Sequence, residues 1–204
     1  MMLNIISNSL CFGNLTSYHC LEFFLDFVCP FSKKLFKTIY EEFYPWVRKN
    51  KNDIKFIICL QVQPWHPSST LVHEAVLAVS KLSENQTVEF IAELFEHQEE
   101  YFDTALVNET RIDTYKRLSL LAEKAVNIDR DKFLDLLHIE NAKPGEKGHN
   151  VGNKVTADLK LHIKNGRSRC VHVSPTVFYN GILNDSISSS WTIDHWKEWY
   201  KVLG

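Results

Sequence analysis

The sequence lacks any hydrophobic run long enough to cross a bilayer. Its longest apolar stretches, such as 56–60, fall far short of the roughly 20 residues that a helical span requires, so a membrane-spanning role is not expected. It also lacks an excess of positive charge: 23 Lys and Arg stand against 25 Asp and Glu. Phosphate neutralisation needs such an excess, so nucleic acid is not an expected partner. Residues 1–18 have neither a basic segment nor an unbroken apolar core of leader length, so export is not expected and a cytoplasmic location is. The five cysteines, Cys11, Cys20, Cys29, Cys59 and Cys170, have none of the tight spacings of a disulfide scaffold, and their odd number leaves at least one thiol unpaired in a monomer. Four sequons, at Asn14, Asn85, Asn108 and Asn184, would matter only in a secretory compartment, and chance explains most of them in a chain so rich in Asn, Ser and Thr. None of the nine histidines forms an HExxH pair or joins a CxxC, so neither a metal centre nor a tightly bound cofactor is expected. No repeat, low-complexity tract or shift of composition divides the chain. With 45% apolar residues over 204 positions, one domain spanning 1–204 is the expectation.

What is present is periodicity. Residues 21–28 (LEFFLDFV) form a short, aromatic, almost wholly apolar run that reads as a central strand, with Asp26 its one conspicuous charge. From Ser32 the pattern turns helical: Leu35, Phe36, Ile39, Phe43 and Trp46 recur at spacings of three and four, with Pro30 at the first turn, where a missing N–H does no harm. This helix should end before the stretch 49–52. Residues 54–62 (IKFIICLQV) read as a second strand, parallel to the first across the helix.

A helical block follows, inserted over 70–150, with Ser83, Thr110 and Asp129 as expected N-caps and no strand pattern. Val151, Val155, Leu159 and Ile163 mark one more helix, which Asn165-Gly166 should stop. Thr176 opens a short strand, Asn180-Gly181 is a two-residue hairpin signal, Ile182 begins the antiparallel partner, and Ile193, Trp196, Tyr200 and Leu203 mark a closing helix. The order is a βαβ half, a helical insertion and a ββα half: an α/β thioredoxin-like fold built on a central mixed sheet.

Two segments carry a further resemblance. Phe24-Leu25-Asp26-Phe27-Val28-Cys29-Pro30-Phe31-Ser32 and Val173-Ser174-Pro175-Thr176-Val177-Phe178-Tyr179-Asn180-Gly181 resemble the two halves of the active site in the DsbA-like branch of the thioredoxin superfamily. The likeness extends in element order from Leu21 to the C-terminus. It implies a thiol oxidoreductase with Cys29 as nucleophile. A cysteine at the mouth of a helix meets unsatisfied N–H groups and the positive end of the dipole, and both favour thiolate. The resemblance also implies a cis peptide bond before Pro175, with the backbone of Ser174 facing the cysteine and free to pair with an extended peptide or with glutathione. Pro30, Phe31, Ser174, Pro175 and His66 are the expected substrate-binding residues. The partners implied are protein thiols and disulfides, or glutathione as a co-substrate.

The departure from the family pattern lies at Ser32. A dithiol enzyme has its resolving cysteine at that position, and a hydroxyl forms no disulfide. The CPFS motif therefore implies monothiol chemistry, in which an external thiol resolves the adduct on Cys29, and Ser32 donates a hydrogen bond to the thiolate. The kappa-class glutathione transferases and chromene-carboxylate isomerases share the fold and the insertion. They use serine at the Cys29 position, so transferase chemistry is a second reading and a non-catalytic binding module a third. Cys59 reads as core, and Cys11 and Cys20 as bystanders. Cys170, four residues before Ser174, is a candidate distal resolving thiol. His66, in Gln63-Pro64-Trp65-His66-Pro67, lies on the loop at the carboxyl end of the second strand, where ligands gather in open α/β sheets. The plainer account is a proline-fixed loop with Trp65 covering the core. His172 is two residues from Ser174 and reads by default as a surface histidine. Phe95, Tyr101 and Phe102 read as packing, and Glu96, Glu99 and Glu100 as a solvated face.

Overall fold

The structure is a computed structural model that describes residues 8–51 and 53–203. Residues 1–7 of the segment without a leader pattern, and Asn52 in the stretch after the first helix, lie outside the described residues. Among the described residues five strands form one mixed sheet: β1 (Cys11–Gly13), β2 (Cys20–Leu25), β3 (Lys55–Leu60), β4 (Thr176–Tyr179) and β5 (Ile182–Leu183), laid in the order β1, β3, β2, β4, β5. β2 runs parallel to β3, with Phe24 beside Cys59, and antiparallel to β4, with Phe24 beside Thr176.

The β2–β3 crossover is helical. α1 (Pro30–Lys37) passes through a π turn (Thr38–Phe43) into α2 (Tyr44–Lys49). Pro45 has no N–H to give to the preceding turn, and the widened turn accommodates it at the start of α2. The single regular helix expected here is thus two helices joined by a π turn. Between β3 and β4 the chain is helical: α3 (Ser69–Leu82), α4 (Thr87–Glu96), α5 (Asp103–Leu106), α6 (Arg111–Val126), α7 (Arg130–Leu137) and α8 (Thr156–Ser168). Thr110 and Asp129 cap α6 and α7 by accepting the N–H groups of Asp113 and Lys132. Ser83 precedes only a 3-10 turn, and its side chain caps nothing.

Two expectations about α8 need correction. Val151 lies outside the helix and is exposed, and Asn165-Gly166 does not stop it. A Cβ on Gly166 would lie 2.7 Å from Gln61 Oε1, so this glycine lets α8 approach the sheet closely instead of ending the helix. Asn180 and Gly181, at φ +48° and +81°, form the tight turn between β4 and β5. The chain closes with α9 (Ile193–Lys201).

The sheet divides the apolar residues between two faces. Leu21, Phe23, Leu25, Phe56, Ile58 and Leu60 join the larger core with the helices. Trp196 of α9 is fully buried there, its ring 5.2 Å from that of Phe43. Phe24, Ile57, Cys59, Val171 and Phe178 form a smaller core on the other face, with Cys11 and Cys20 against it. β1 had no sequence signal, since three residues are too few to show a period.

Candidate active site

The site is built where β2 ends. Asp26 has no exposed surface, and its carboxylate is saturated by neighbours. Oδ1 accepts the Val28 N–H at 2.9 Å, Oδ2 accepts the Gln63 N–H at 3.0 Å, and Oδ2 lies 2.9 Å from His66 Nδ1. A buried carboxylate is tolerable only when satisfied in this way. The bond to Val28 and a turn closed by Cys29 N–H on the Asp26 carbonyl, at 3.0 Å, end the strand at Leu25 and not at Val28. Cys29 is left as the N-cap of α1, with Pro30 at the first helical positions.

The Cys29 side chain makes no capping bond; its thiol reaches the Ser174 carbonyl oxygen at 3.5 Å. The register explains this meeting. With Phe24 opposite Thr176 in an antiparallel pair, residues beyond Phe24 on one strand face residues before Thr176 on the other. The Ser174-Pro175 bond is cis, and the Ser174 hydroxyl oxygen is buried with no hydrogen-bond partner. Cys29 is 5% exposed. Pro30 and Phe31 are exposed at the helix mouth, and Val173 is exposed across from them.

Ser32 is not placed as expected. It is fully buried, and its Oγ accepts the Asp26 N–H at 3.2 Å, turned to the backbone of Asp26 and not to the sulfur. A side chain in the first turn of a helix points back toward the N-terminal side, and here that direction leads to Asp26. His66 is turned onto Asp26 and keeps 23% of its side chain exposed. With Val28, Pro30, Tyr101, Phe102 and Asp103 it lines a cavity of about 280 Å³ beside the cysteine. Trp65 does not cover the core: it is 57% exposed. His172 is exposed, and Glu96 and Glu100 form ion pairs, with Lys37 and with Arg117, at the surface.

Among the described residues no two cysteines form a disulfide. Burial pushes the Cys11 and Cys20 thiols up to about 11, and Cys59 well above its ordinary value. Cys170 is exposed just beyond α8, in a left-handed conformation. Among the described residues no cluster of His, Cys, Asp or Glu could hold a metal ion, and no helix is long and apolar enough to cross a membrane.

Two buried groups around the site have no sequence signal of their own. His73 of α3 places Nδ1 2.7 Å from the Ser69 carbonyl and Nε2 3.2 Å from that of Leu25, and its ring packs 4.5 Å from Phe27. Desolvation lowers its pKa, against the pull of Asp26. Gln98 donates from one nitrogen to the carbonyls of Phe27 and Cys29 at 2.9 and 3.0 Å.

No family model matches the chain, and no curated protein matches its sequence. Solved structures do match. A proposed protein-disulfide isomerase from Pseudomonas syringae is 22% identical, with a TM-score of 0.72, over 97% of this chain and 98% of that one. BdbD from Bacillus subtilis, in its oxidised form, is 18% identical, with a TM-score of 0.65, over 97% and 94%. The thiol-disulfide exchange protein alpha-DsbA2 from Wolbachia pipientis is 15% identical, with a TM-score of 0.63, over 97% and 91%. The likenesses run through nearly the whole of each chain, and with the sheet order and the facing Cys29 and Ser174 they make this the DsbA-like form of the thioredoxin fold.

Proposed function

We propose that this chain carries out thiol-disulfide exchange through Cys29 alone. The observation that carries the reading is the Cys29 sulfur at the start of α1, 3.5 Å from the Ser174 carbonyl. The Cys29 thiolate attacks one sulfur of a partner disulfide. A bond forms between the two sulfurs as the partner's S–S bond breaks, and the released sulfur leaves as a thiolate that takes its proton from water. Ser32 cannot complete the cycle. An external thiolate, from glutathione or from a protein, attacks the adduct and leaves with the partner's sulfur in a new disulfide, which returns Cys29 as thiolate. The redox state of the protein is unchanged over the cycle.

The remaining residues support this. Pro30, Phe31 and Val173 present apolar surface to a polypeptide around the sulfur, and the backbone of Ser174 before Pro175 is the edge along which it lies. His66, held by Asp26, borders the adjoining cavity. Ser32 holds the Asp26 backbone and leaves the adduct without an internal resolving sulfur. No disulfide forms among the described cysteines, which favours a reducing compartment, and we place the exchange in the cytoplasm.

The test is intact-mass and peptide mapping after incubation with oxidised glutathione. The expected result is an adduct on Cys29 that forms ahead of any on the exposed Cys170, is absent in Cys29→Ser and is released by reduced glutathione. An adduct on Cys170 only, or none, overturns the reading.

A further inference from the structure

Gln98 is the least conspicuous polar residue in the sequence, one of the run His97-Gln98-Glu99-Glu100. Its neighbours in that run are exposed, but Gln98 is 1% exposed. It lies in the 3-10 turn Gln98–Tyr101 between α4 and α5, and its side chain points out of the helical block toward the end of β2. There Nε2 spends both of its N–H groups on the carbonyls of Phe27 and Cys29. These oxygens belong to the peptide groups on either side of the Val28-Cys29 unit.

The Cys29 carbonyl also accepts the Lys33 N–H at 3.1 Å, the first bond of α1. Phe27 is wholly buried, so the donor that its carbonyl finds in Gln98 replaces water it cannot reach. The peptide group between Val28 and Cys29 is held in turn by the Cys29 N–H on the Asp26 carbonyl, so with Gln98 on the peptides before and after it the backbone on both sides of Cys29 is fixed, and with it the Cα–Cβ direction from which the sulfur hangs. A side chain needed only for volume would not need two donors.

We infer that Gln98 is a positioning residue of the Cys29 reaction: through one amide, the helical block sets the angle at which the sulfur meets the Ser174 loop. The inference rests on the exchange reading above. Gln98→Met keeps the volume and removes the donors. Gln98→Glu replaces the donors with a carboxylate oxygen that faces two carbonyls.

The measurement is the rate at which oxidised glutathione modifies each cysteine, resolved by peptide mapping. Cys170 serves as the exposed reference thiol and Cys59 as the reporter of opening. Gln98→Met is expected to slow Cys29 by about tenfold, because a small error in attack geometry is costly, and Gln98→Glu to slow it further. Cys170 keeps its rate and Cys59 stays unmodified in both. Equal Cys29 rates in wild type and Gln98→Met overturn the inference. So does a faster Cys29 accompanied by modification of Cys59, which means that Gln98 only holds the fold closed. A wild-type Cys29 that does not react sinks the exchange reading itself, and is seen before any variant is made.

Discussion

Cys29 and Cys59 are almost equally buried, at 5% and 1% exposure, yet their surroundings have nothing in common. Cys59 sits on the smaller face of the sheet with Phe24, Ile57, Val171 and Phe178, and Cys11 and Cys20 lie at its edge. Hydrocarbon around a thiol penalises the charged form, and all three are pushed up. At neutral pH they stay protonated and are poor nucleophiles. Cys29 is enclosed by backbone: the first turn of α1 behind it, the Asp26 carbonyl on its N–H, and the Ser174 carbonyl before its sulfur. Near-equal burial thus hides two different settings: one sulfur faces hydrocarbon, the other a peptide carbonyl.

The strongest way to sharpen this contrast is to place a second sulfur on the working side. Ser32→Cys puts a thiol one helical turn from Cys29, a separation that a disulfide can span. It loses the bond from Asp26 N–H, at about 1 kcal/mol. The expected outcome is a change of mechanism: Ser32→Cys releases its partner with no external thiol and accumulates an internal 29–32 disulfide, where the wild type stalls as the adduct. Insulin reduction with and without added glutathione checks it. A variant that still stalls means that the two positions do not converge.

The next test loads the inert face. Arg169 reaches Glu22 with both guanidinium nitrogens, one of them at 2.9 Å, and lies over the Phe178 ring at 3.9 Å from its centroid. Both side chains are nearly buried, at 8% and 12% exposure. Arg169→Met leaves the Glu22 carboxylate buried and unpaired, at a cost of about 4 kcal/mol, read from the urea midpoint. The Cys29 exchange rate of the folded variant is expected to stay at the wild-type value. A loss of exchange without a loss of stability would break the separation between the two regions.

Acid provides the third test. His162 of α8 is 4% exposed, and desolvation, with His73 nearby, holds its pKa down to about 4. The unfolded ring takes up its proton near 6.5, so between these values the unfolded chain binds more protons than the folded one. The stability contribution is therefore intact above pH 6.5 and lost as pH falls toward 4, by about 3 kcal/mol in total. His73, also shifted down, acts in the same direction. Urea midpoints between pH 7 and pH 4, in wild type and His162→Gln, should converge at low pH. Parallel curves would show that the buried ring carries no pH dependence.

The strands on either side of the site and the start of α1 were legible because each is a local pattern: LEFFLDFV, Cys29-Pro30 and Asn180-Gly181 are read within a few residues. Cys29 and Ser174-Pro175 could be paired through the family resemblance, and the β2–β4 register then supplied the reason. Ser32 could be seen as the missing sulfur, but not as a partner of Asp26, because the direction of its side chain depends on how β2 ends. His66 was legible as a loop histidine, while the carboxylate that fixes it lies forty residues earlier. Gln98 was illegible: nothing in a polar tetrapeptide tells which member turns inward. Gly166 reads as a helix stop in sequence, and is a contact between α8 and Gln61 in space.

By itself the sequence determined the order of the elements, the cysteine at the head of a helix and the lack of a second one beside it, since periodicity, proline and residue type act over a few positions. The tertiary structure decided which buried thiol faces peptide dipoles and which faces hydrocarbon. It also decided that Asp26 meets His66 and that Gln98 meets Cys29. Such contacts join residues tens of positions apart, and only the packing of the helical block against the end of the sheet brings them within hydrogen-bond reach.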